Sequence, residues 1–233
     1  MSSLRIVAGI PSFNTEKTIK DVVNNTLRYV DEVVVIDDGS QDQTVVVAKA
    51  AGARVISHGL NKGYGVAIKS CFEVAKKDRV DILIIIDGDG QNNPDEIPGL
   101  LATMINERAD LVIGSRFLND SQNIPQYRKF GIGVITFLWN FGSKIKITDA
   151  QSGFRAYGKK VLRDIDFSET GMDSSIVIIE KIRRNGALIK EVPITCSYEN
   201  NNTHLNINAI RHGLGVALAV LKIRVIYGIL KNN

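Results

Sequence analysis

The run Ile82-Leu83-Ile84-Ile85-Ile86-Asp87-Gly88-Asp89-Gly90-Gln91 constrains the fold of this chain more than any other stretch. Its apolar part is too short to span a membrane and reads as a strand buried on both faces, as in a parallel sheet. A strand interior does not hold unpaired charge, so Asp87 and Asp89 mark where the chain leaves the core. In open α/β sheets, ligands bind at the carboxyl ends of the strands. Two carboxylates at such an end can hold a hard divalent cation, and that cation can bridge a diphosphate. Taken alone, Asp-x-Asp is accounted for equally well by a solvated acidic turn.

Neighbouring segments repeat the pattern. Leu4–Ile10 reads as a strand running into Pro11-Ser12-Phe13-Asn14, followed by a helix capped by Asn14 or Thr15 with Ile19, Val22, Val23 and Leu27 on its apolar face. Glu32–Ile36 is a second strand, ending in Asp37-Asp38-Gly39-Ser40. A short helix, Gln43–Ala51, stops at Gly52, and Ala53–Ser57 is a third strand. A Gly/Asn/Lys loop, His58–Gly65, leads to a helix over Val66–Ala75 and then to the central strand. Asn93-Pro94-Asp95-Glu96 opens another helix, with proline and acids at its start, and Asp110–Gly114 is a fifth strand.

Strands alternating with helices predict an α/β fold, a doubly wound, mostly parallel sheet with helices on both faces. The turns at Asn14, at Asp37-Asp38 and at Asp87-Gly88-Asp89 then share one sheet edge, which favours a nucleotide site over three unrelated polar turns. No Gly-x-Gly-x-x-Gly follows the first strand and no Gly-x-x-x-x-Gly-Lys-Ser/Thr occurs, which disfavours a classical dinucleotide fold and a P-loop NTPase.

Beyond Arg116 the alternation loosens. A helix carries Phe130, Phe137, Trp139 and Phe141, and core packing is the stronger account of these rings. Asp149-Ala150-Gln151-Ser152-Gly153-Phe154-Arg155, a helix over Ser174–Arg184 and a strand Ala187–Pro193 follow. The 233 residues suffice for one large domain or two small ones. Cys71 and Cys196 follow no metal or redox spacing and read as free thiols in a reducing compartment. Met1-Ser2-Ser3-Leu4-Arg5 leads straight into a strand rather than a signal peptide, which predicts a cytoplasmic protein.

The net charge of +4 lies wholly in the tail: after Glu199 there are Arg211, Lys222, Arg224 and Lys231 but no acid. The balanced remainder argues against general nucleic-acid binding. Leu214–Leu230 is apolar with two bases, short for a membrane span, and predicts an amphipathic C-terminal helix. Three uses stay open for it: a membrane surface, the domain itself or a homo-oligomer contact.

Taken in order, Pro11-Ser12-Phe13-Asn14, Val35-Ile36-Asp37-Asp38-Gly39-Ser40-Gln41-Asp42-Gln43-Thr44, Asn61-Lys62-Gly63-Tyr64-Gly65, Asp87-Gly88-Asp89-Gly90-Gln91, Gly114-Ser115-Arg116, Ser152-Gly153-Phe154-Arg155 and Glu191-Val192-Pro193 resemble the family 2 glycosyltransferases of GT-A fold, and among them the dolichyl-phosphate mannose synthase group. The resemblance covers residues 4–198. It implies a GT-A domain over 1–208, with a nucleotide-sugar half (1–115) and an acceptor half (116–208), followed by the helix at 209–233. It further implies a metal-dependent, inverting transfer from a UDP- or GDP-sugar to polyprenyl phosphate, with Mg²⁺ or Mn²⁺ as cofactor. A sugar hydroxyl as acceptor, a sugar-nucleotidyltransferase and a non-catalytic nucleotide-sugar-binding module are the alternatives.

The resemblance also implies roles. Pro11 and Phe13 line the nucleoside pocket, Asp38 meets base or ribose, and Asp37 braces the turn. Asp87, Gly88 and Asp89 meet ribose, diphosphate and metal, with Asp89 the direct metal ligand and Asp87 beside it. Gln91 and Lys62 contact sugar or phosphate. Arg116 serves donor and catalysis, and Arg128 and Arg155 serve the acceptor phosphate, for which a guanidinium is well shaped. The chain also departs from the group. Thr15 stands where the family has Glu, Val177 stands where an acid is usual, and the Arg…Ser-Lys segment after the Val-Pro strand is replaced by Ser197-Tyr198-Glu199-Asn200-Asn201-Asn202-Thr203-His204. Asp173 offers a general base for a hydroxyl acceptor, or only a helix cap. His204 offers a phosphate contact or a base, although a lone loop histidine is more often neither.

Overall fold

The computed structural model describes residues 4–118, 124–164 and 174–198. In chain order they form β1 (Ile6–Ser12), α1 (Ile19–Thr26), β2 (Glu32–Asp37), α2 (Thr44–Ala50), β3 (Arg54–Ser57), α3 (Tyr64–Lys77), β4 (Ile82–Ile85), α4 (Ile97–Asn106), β5 (Leu111–Ser115), α5 (Gln126–Asn140), β6 (Arg155–Gly158), α6 (Lys159–Asp164), α7 (Ser174–Arg184) and β7 (Ile189–Pro193). Among these residues the strands make one sheet in the order β3-β2-β1-β4-β6-β5-β7. The pairings β1–β2, β1–β4, β2–β3 and β5–β7 are parallel. Strand β6 runs antiparallel between β4 and β5. The expected mostly parallel sheet is present, with β4 inside it.

Alternation along the strands divides the core in two. Ile82, Ile84 and Ile86 face one side with Ala8, Ile10, Val33 and Val35, under α1, α2 and α4. Leu83 and Ile85 face the other with Val7, Val34 and Ile36, under α3, α5, α6 and α7. All five aliphatic residues from Ile82 to Ile86 are at most 4% exposed. Burying each stabilises the fold by about 1.5–3 kcal/mol, which holds the strand and its carboxyl end in place.

Two local expectations need correction, and one strand carried no expectation. The helix after β1 runs from Ile19 with Thr18 at its cap position, rather than being capped by Asn14 or Thr15. Asn14 has φ +52° and accepts the Gln41 N–H instead, so its side chain closes a loop between strands. Strand β6 was not legible: four residues beginning with arginine carry no alternation. The ring-bearing helix is amphipathic in an unexpected sense. Trp139 is buried at 2%, but Phe130, Phe137 and Phe141 are 76%, 66% and 71% exposed, so core packing accounts for one ring of the four. Among the described residues no helix is long and apolar enough to cross a membrane. The segment 209–233, Asp173 and His204 lie outside the described residues.

Candidate active site

The parallel strands β1, β2, β4, β5 and β7 end on one edge, and antiparallel β6 starts there. This edge gathers Phe13, Asp37, Asp38, Asp87, Asp89, Arg116 and Arg155. Asp87 follows the apolar run, and its Oδ1 accepts from the Tyr64 hydroxyl at 3.0 Å. Burial, then the neighbouring Asp89 charge, push its carboxyl up to about 6, against Tyr64, Arg116 and Arg155. Asp89 is more exposed and takes the Gln91 N–H at 3.0 Å on Oδ1. Burial raises its carboxyl too, opposed by the Gln91 amide and the Arg128 charge.

Close packing holds this turn. Thr18 Oγ1 donates to the Gly88 carbonyl at 2.7 Å. A side chain at Gly88 would strike Ser12 Oγ, so the glycine here serves contact with β1. A Cβ at Gly153 would lie 2.6 Å from Asp87 Oδ2 and 3.1 Å from the Tyr64 hydroxyl. Gly153→Ala is therefore expected to displace the Asp87 carboxylate and lower any reaction served by Asp87 about 10²-fold, as misplacement near 1 Å does. Initial rates and circular dichroism on the same preparation check this; an active variant would show that Asp87 has room to shift.

At the end of β2, Asp37 accepts from Ser40 N at 3.0 Å and Ser57 Oγ at 2.6 Å, bracing the turn. Asp38 is 4% exposed and already engaged. His58 Nδ1 lies 2.8 Å from Oδ1, Lys62 N–H donates to Oδ1 at 3.0 Å, and Gly63 N–H donates to Oδ2 at 2.7 Å. In this structure Asp38 anchors the loop that leads to Tyr64, and contact with a base would need the remaining lone pair of Oδ2. Phe13 is 45% exposed, whereas Pro11 is buried within β1. Lys62 is exposed.

On the other side, Arg116 forms a two-pronged ion pair with Asp149, Nε–Oδ2 2.6 Å and Nη2–Oδ1 2.8 Å, and its Nη1 donates to the Tyr198 hydroxyl at 3.3 Å. The Arg128 guanidinium sits 5.1 Å from the centre of the Tyr198 ring. Burial pushes the Tyr198 phenol up to about 12, against the Arg116 charge, so it stays neutral between the two arginines. The segment after β7 crosses the edge beside Gln91: Ser197 N–H donates to the Gln91 carbonyl at 2.9 Å. Arg155 departs from its expected acceptor role. It is 1% exposed and bonds to the Ala150 carbonyl and the Tyr157 hydroxyl, so it lies in the core, where its charge reaches Asp87, rather than at the surface. Tyr64, Asp149, Gly153 and Tyr198 were not singled out from the sequence. All four lie inside stretches named above, Tyr198 in the segment after the Val-Pro strand, and that position was the available signal.

The family model for glycosyl transferase family 2 matches residues 8–166. The chain belongs to this family. It is 31% identical over 215 residues to the UDP-N-acetylglucosamine–dolichyl-phosphate N-acetylglucosaminyltransferase of Methanococcus voltae, covering 81% of this chain and 84% of that one. It is 30% identical over 224 residues to the dolichyl-phosphate hexose transferase of Haloferax volcanii, covering 94% and 93%. The fold matches the crystal structure of glucosyl-3-phosphoglycerate synthase from Mycobacterium tuberculosis, solved with Mn²⁺ and UDP-glucose. That match has a TM-score of 0.73 at 22% identity and covers 93% of this chain and 79% of the other. This family 2 member is thus a glycosyltransferase of GT-A fold.

Proposed function

We propose that this glycosyltransferase moves a sugar, with inversion, from a nucleoside diphosphate sugar to polyprenyl phosphate, using Mg²⁺ or Mn²⁺ held at Asp87 and Asp89. One observation carries this reading. The carboxylate pair at the end of β4 lies within electrostatic reach of two arginines gathered by Tyr198, Arg116 acting on Asp87 and Arg128, from α5, on Asp89. Among the described residues no cluster of three or more acidic, histidine or cysteine ligands occurs. Two carboxylates still fit Mg²⁺, which typically takes one or two from the protein and completes its shell with water and substrate phosphate oxygens. When bound, the metal would neutralise charge developing on the leaving diphosphate.

The protein's own groups do the rest. Asp89, the more exposed carboxylate, would be the direct ligand, with Asp87 oriented by Tyr64. The Arg116 donors not taken by Asp149 would meet the diphosphate, and Arg128 the acceptor phosphate. Phe13 would cover the base, and Gln91 and Lys62 would meet sugar or phosphate. An acceptor phosphate is already anionic, so one in-line displacement needs neither an enzyme nucleophile nor a strong base. The acceptor named for both archaeal relatives supports the same choice. The test is a panel of labelled UDP- and GDP-sugars with Mn²⁺ and a short polyprenyl phosphate. The expected product is one lipid-linked sugar, formed only with metal. Transfer to a glycan hydroxyl alone, or to nothing, would overturn the reading.

A lipid acceptor places the site at a membrane surface, and α5 suits one. Phe130, Val134, Phe137 and Phe141 recur on its exposed face. Residues 126–148 carry Arg128, Lys129, Lys144 and Lys146 and no acid. Aromatic rings among bases are the composition of a helix lying on anionic lipid. The double variant Phe137→Ser, Phe141→Ser is expected to weaken co-sedimentation with phosphatidylglycerol vesicles at least tenfold, since each buried ring contributes about 1.5–3 kcal/mol. Unchanged binding would remove α5 from the membrane contact.

A further inference from the structure

Three elements that hold no substrate group converge on Arg116. The carboxylate of Glu191, on β7, accepts from Thr148 N–H at 2.9 Å on Oε1 and 2.7 Å on Oε2. It also accepts from Thr148 Oγ1 at 3.0 Å and from Asp149 N–H at 3.1 Å, both on Oε1. Thr148 Oγ1 in turn lies 2.6 Å from Ser115 Oγ, which accepts the Phe117 N–H at 3.1 Å. These bonds run in one direction, from Phe117 N–H through the Ser115 and Thr148 hydroxyls to the Glu191 carboxylate, so each polarises the next. From the same loop the Asp149 carboxylate, fully buried, takes Arg116 by backbone and side chain: N at 3.3 Å, Nε at 2.6 Å and Nη2 at 2.8 Å.

We propose that Glu191 is a positioning residue for sugar transfer: it fixes the Thr148-Asp149 loop, and through Asp149 it sets the direction in which Arg116 presents its remaining donors. The two-pronged pair occupies one side of the guanidinium and turns Nη1 toward Tyr198 and the carboxylate edge. A loop free to tilt would still pair Arg116 with Asp149 but would carry both away from the phosphates. Glu191 thus serves the reaction without touching substrate. This rests on the proposed role of Arg116 toward substrate phosphates.

The test uses the full chain and Glu191→Gln, which keeps size but turns an amide NH₂ toward backbone N–H groups. First, the Arg116 Nε–H resonance, identified by its loss in Arg116→Lys, is followed by hydrogen exchange; Glu191→Gln is expected to speed its exchange at least tenfold at unchanged far-UV circular dichroism. This readout does not depend on activity, so it decides the positioning even if the proposed reaction fails. Second, kcat for sugar transfer is expected to fall roughly 10- to 100-fold with the donor KM changed less than about threefold. In an Arg116→Ala background the same substitution should add no further loss. Unchanged Arg116 exchange, or an equal kcat loss in both backgrounds, would overturn the proposal. If Glu191→Gln does not fold, Thr148→Val, which removes only the hydroxyl link, is read by the same exchange and kcat measurements. Faster exchange supports the relay and unchanged exchange overturns it.

Discussion

Asp89→Ala is expected to abolish metal-dependent sugar transfer and leave the fold intact. Asp89 makes one bond within the protein among those that define the turn, from Gln91 N–H to Oδ1. Losing a partly exposed hydrogen bond costs about 0.5–1.5 kcal/mol, small against the stability of a domain this size. The cost to catalysis is much larger. With Asp89 absent, a cation keeps one carboxylate, and that carboxylate is turned toward Tyr64. Removing one group aimed at transition-state charge typically lowers kcat about 10²–10³-fold, and losing the metal with it removes more. Rates measured with and without Mn²⁺, beside a thermal melt, check this. A variant that keeps the full rate in the presence of metal would remove Asp89 from the metal site.

Arg116→Ala is expected to damage both stability and activity. Asp149 is fully buried, and the Arg116 side chain is 15% exposed. Truncating the arginine breaks a buried ion pair at one partner and leaves the Asp149 carboxylate in the core without it, which costs about 3–5 kcal/mol. For a domain of this length that is a fall of roughly 6–20 °C in Tm. Transfer should drop about 10²- to 10³-fold, as for loss of a phosphate-facing donor. Arg116→Lys separates the two effects. A lysine still answers the Asp149 charge but cannot span both its oxygens and also reach Tyr198. Most of the stability should return while transfer stays low. Full recovery of transfer in the lysine variant would show that charge alone, not the guanidinium fork, serves the reaction.

The parts of the site that were legible are those set by short-range pattern. An unbroken aliphatic run ending in charge has few places in a fold, so β4 and the position of Asp87 and Asp89 followed directly. Asp37 at the end of β2 followed in the same way. Asp38 shows the limit. Its place at the strand end was readable, but its partners come from the loop at 58–63, and only chain folding brings them near. Asn14 is similar, since its side chain meets Gln41, 27 residues on. For α5 the pattern itself was ambiguous. Ile132, Ile135, Thr136 and Trp139 form one face and Phe130, Val134, Phe137 and Phe141 another, both rich in apolar residues. Nothing local states which face meets the sheet.

Family, α/β alternation and the strand ends on which chemistry is placed are written in the linear chain, because they rest on residue type and near-neighbour spacing. Tertiary structure alone decided how the charges are shared out. It buried Arg155 in the core, paired Arg116 with Asp149 33 residues away and joined Arg116 to Tyr198 across 82. Ion pairs and hydrogen bonds form between whatever groups the packed strands bring within about 3 Å, and no spacing along the chain encodes that proximity.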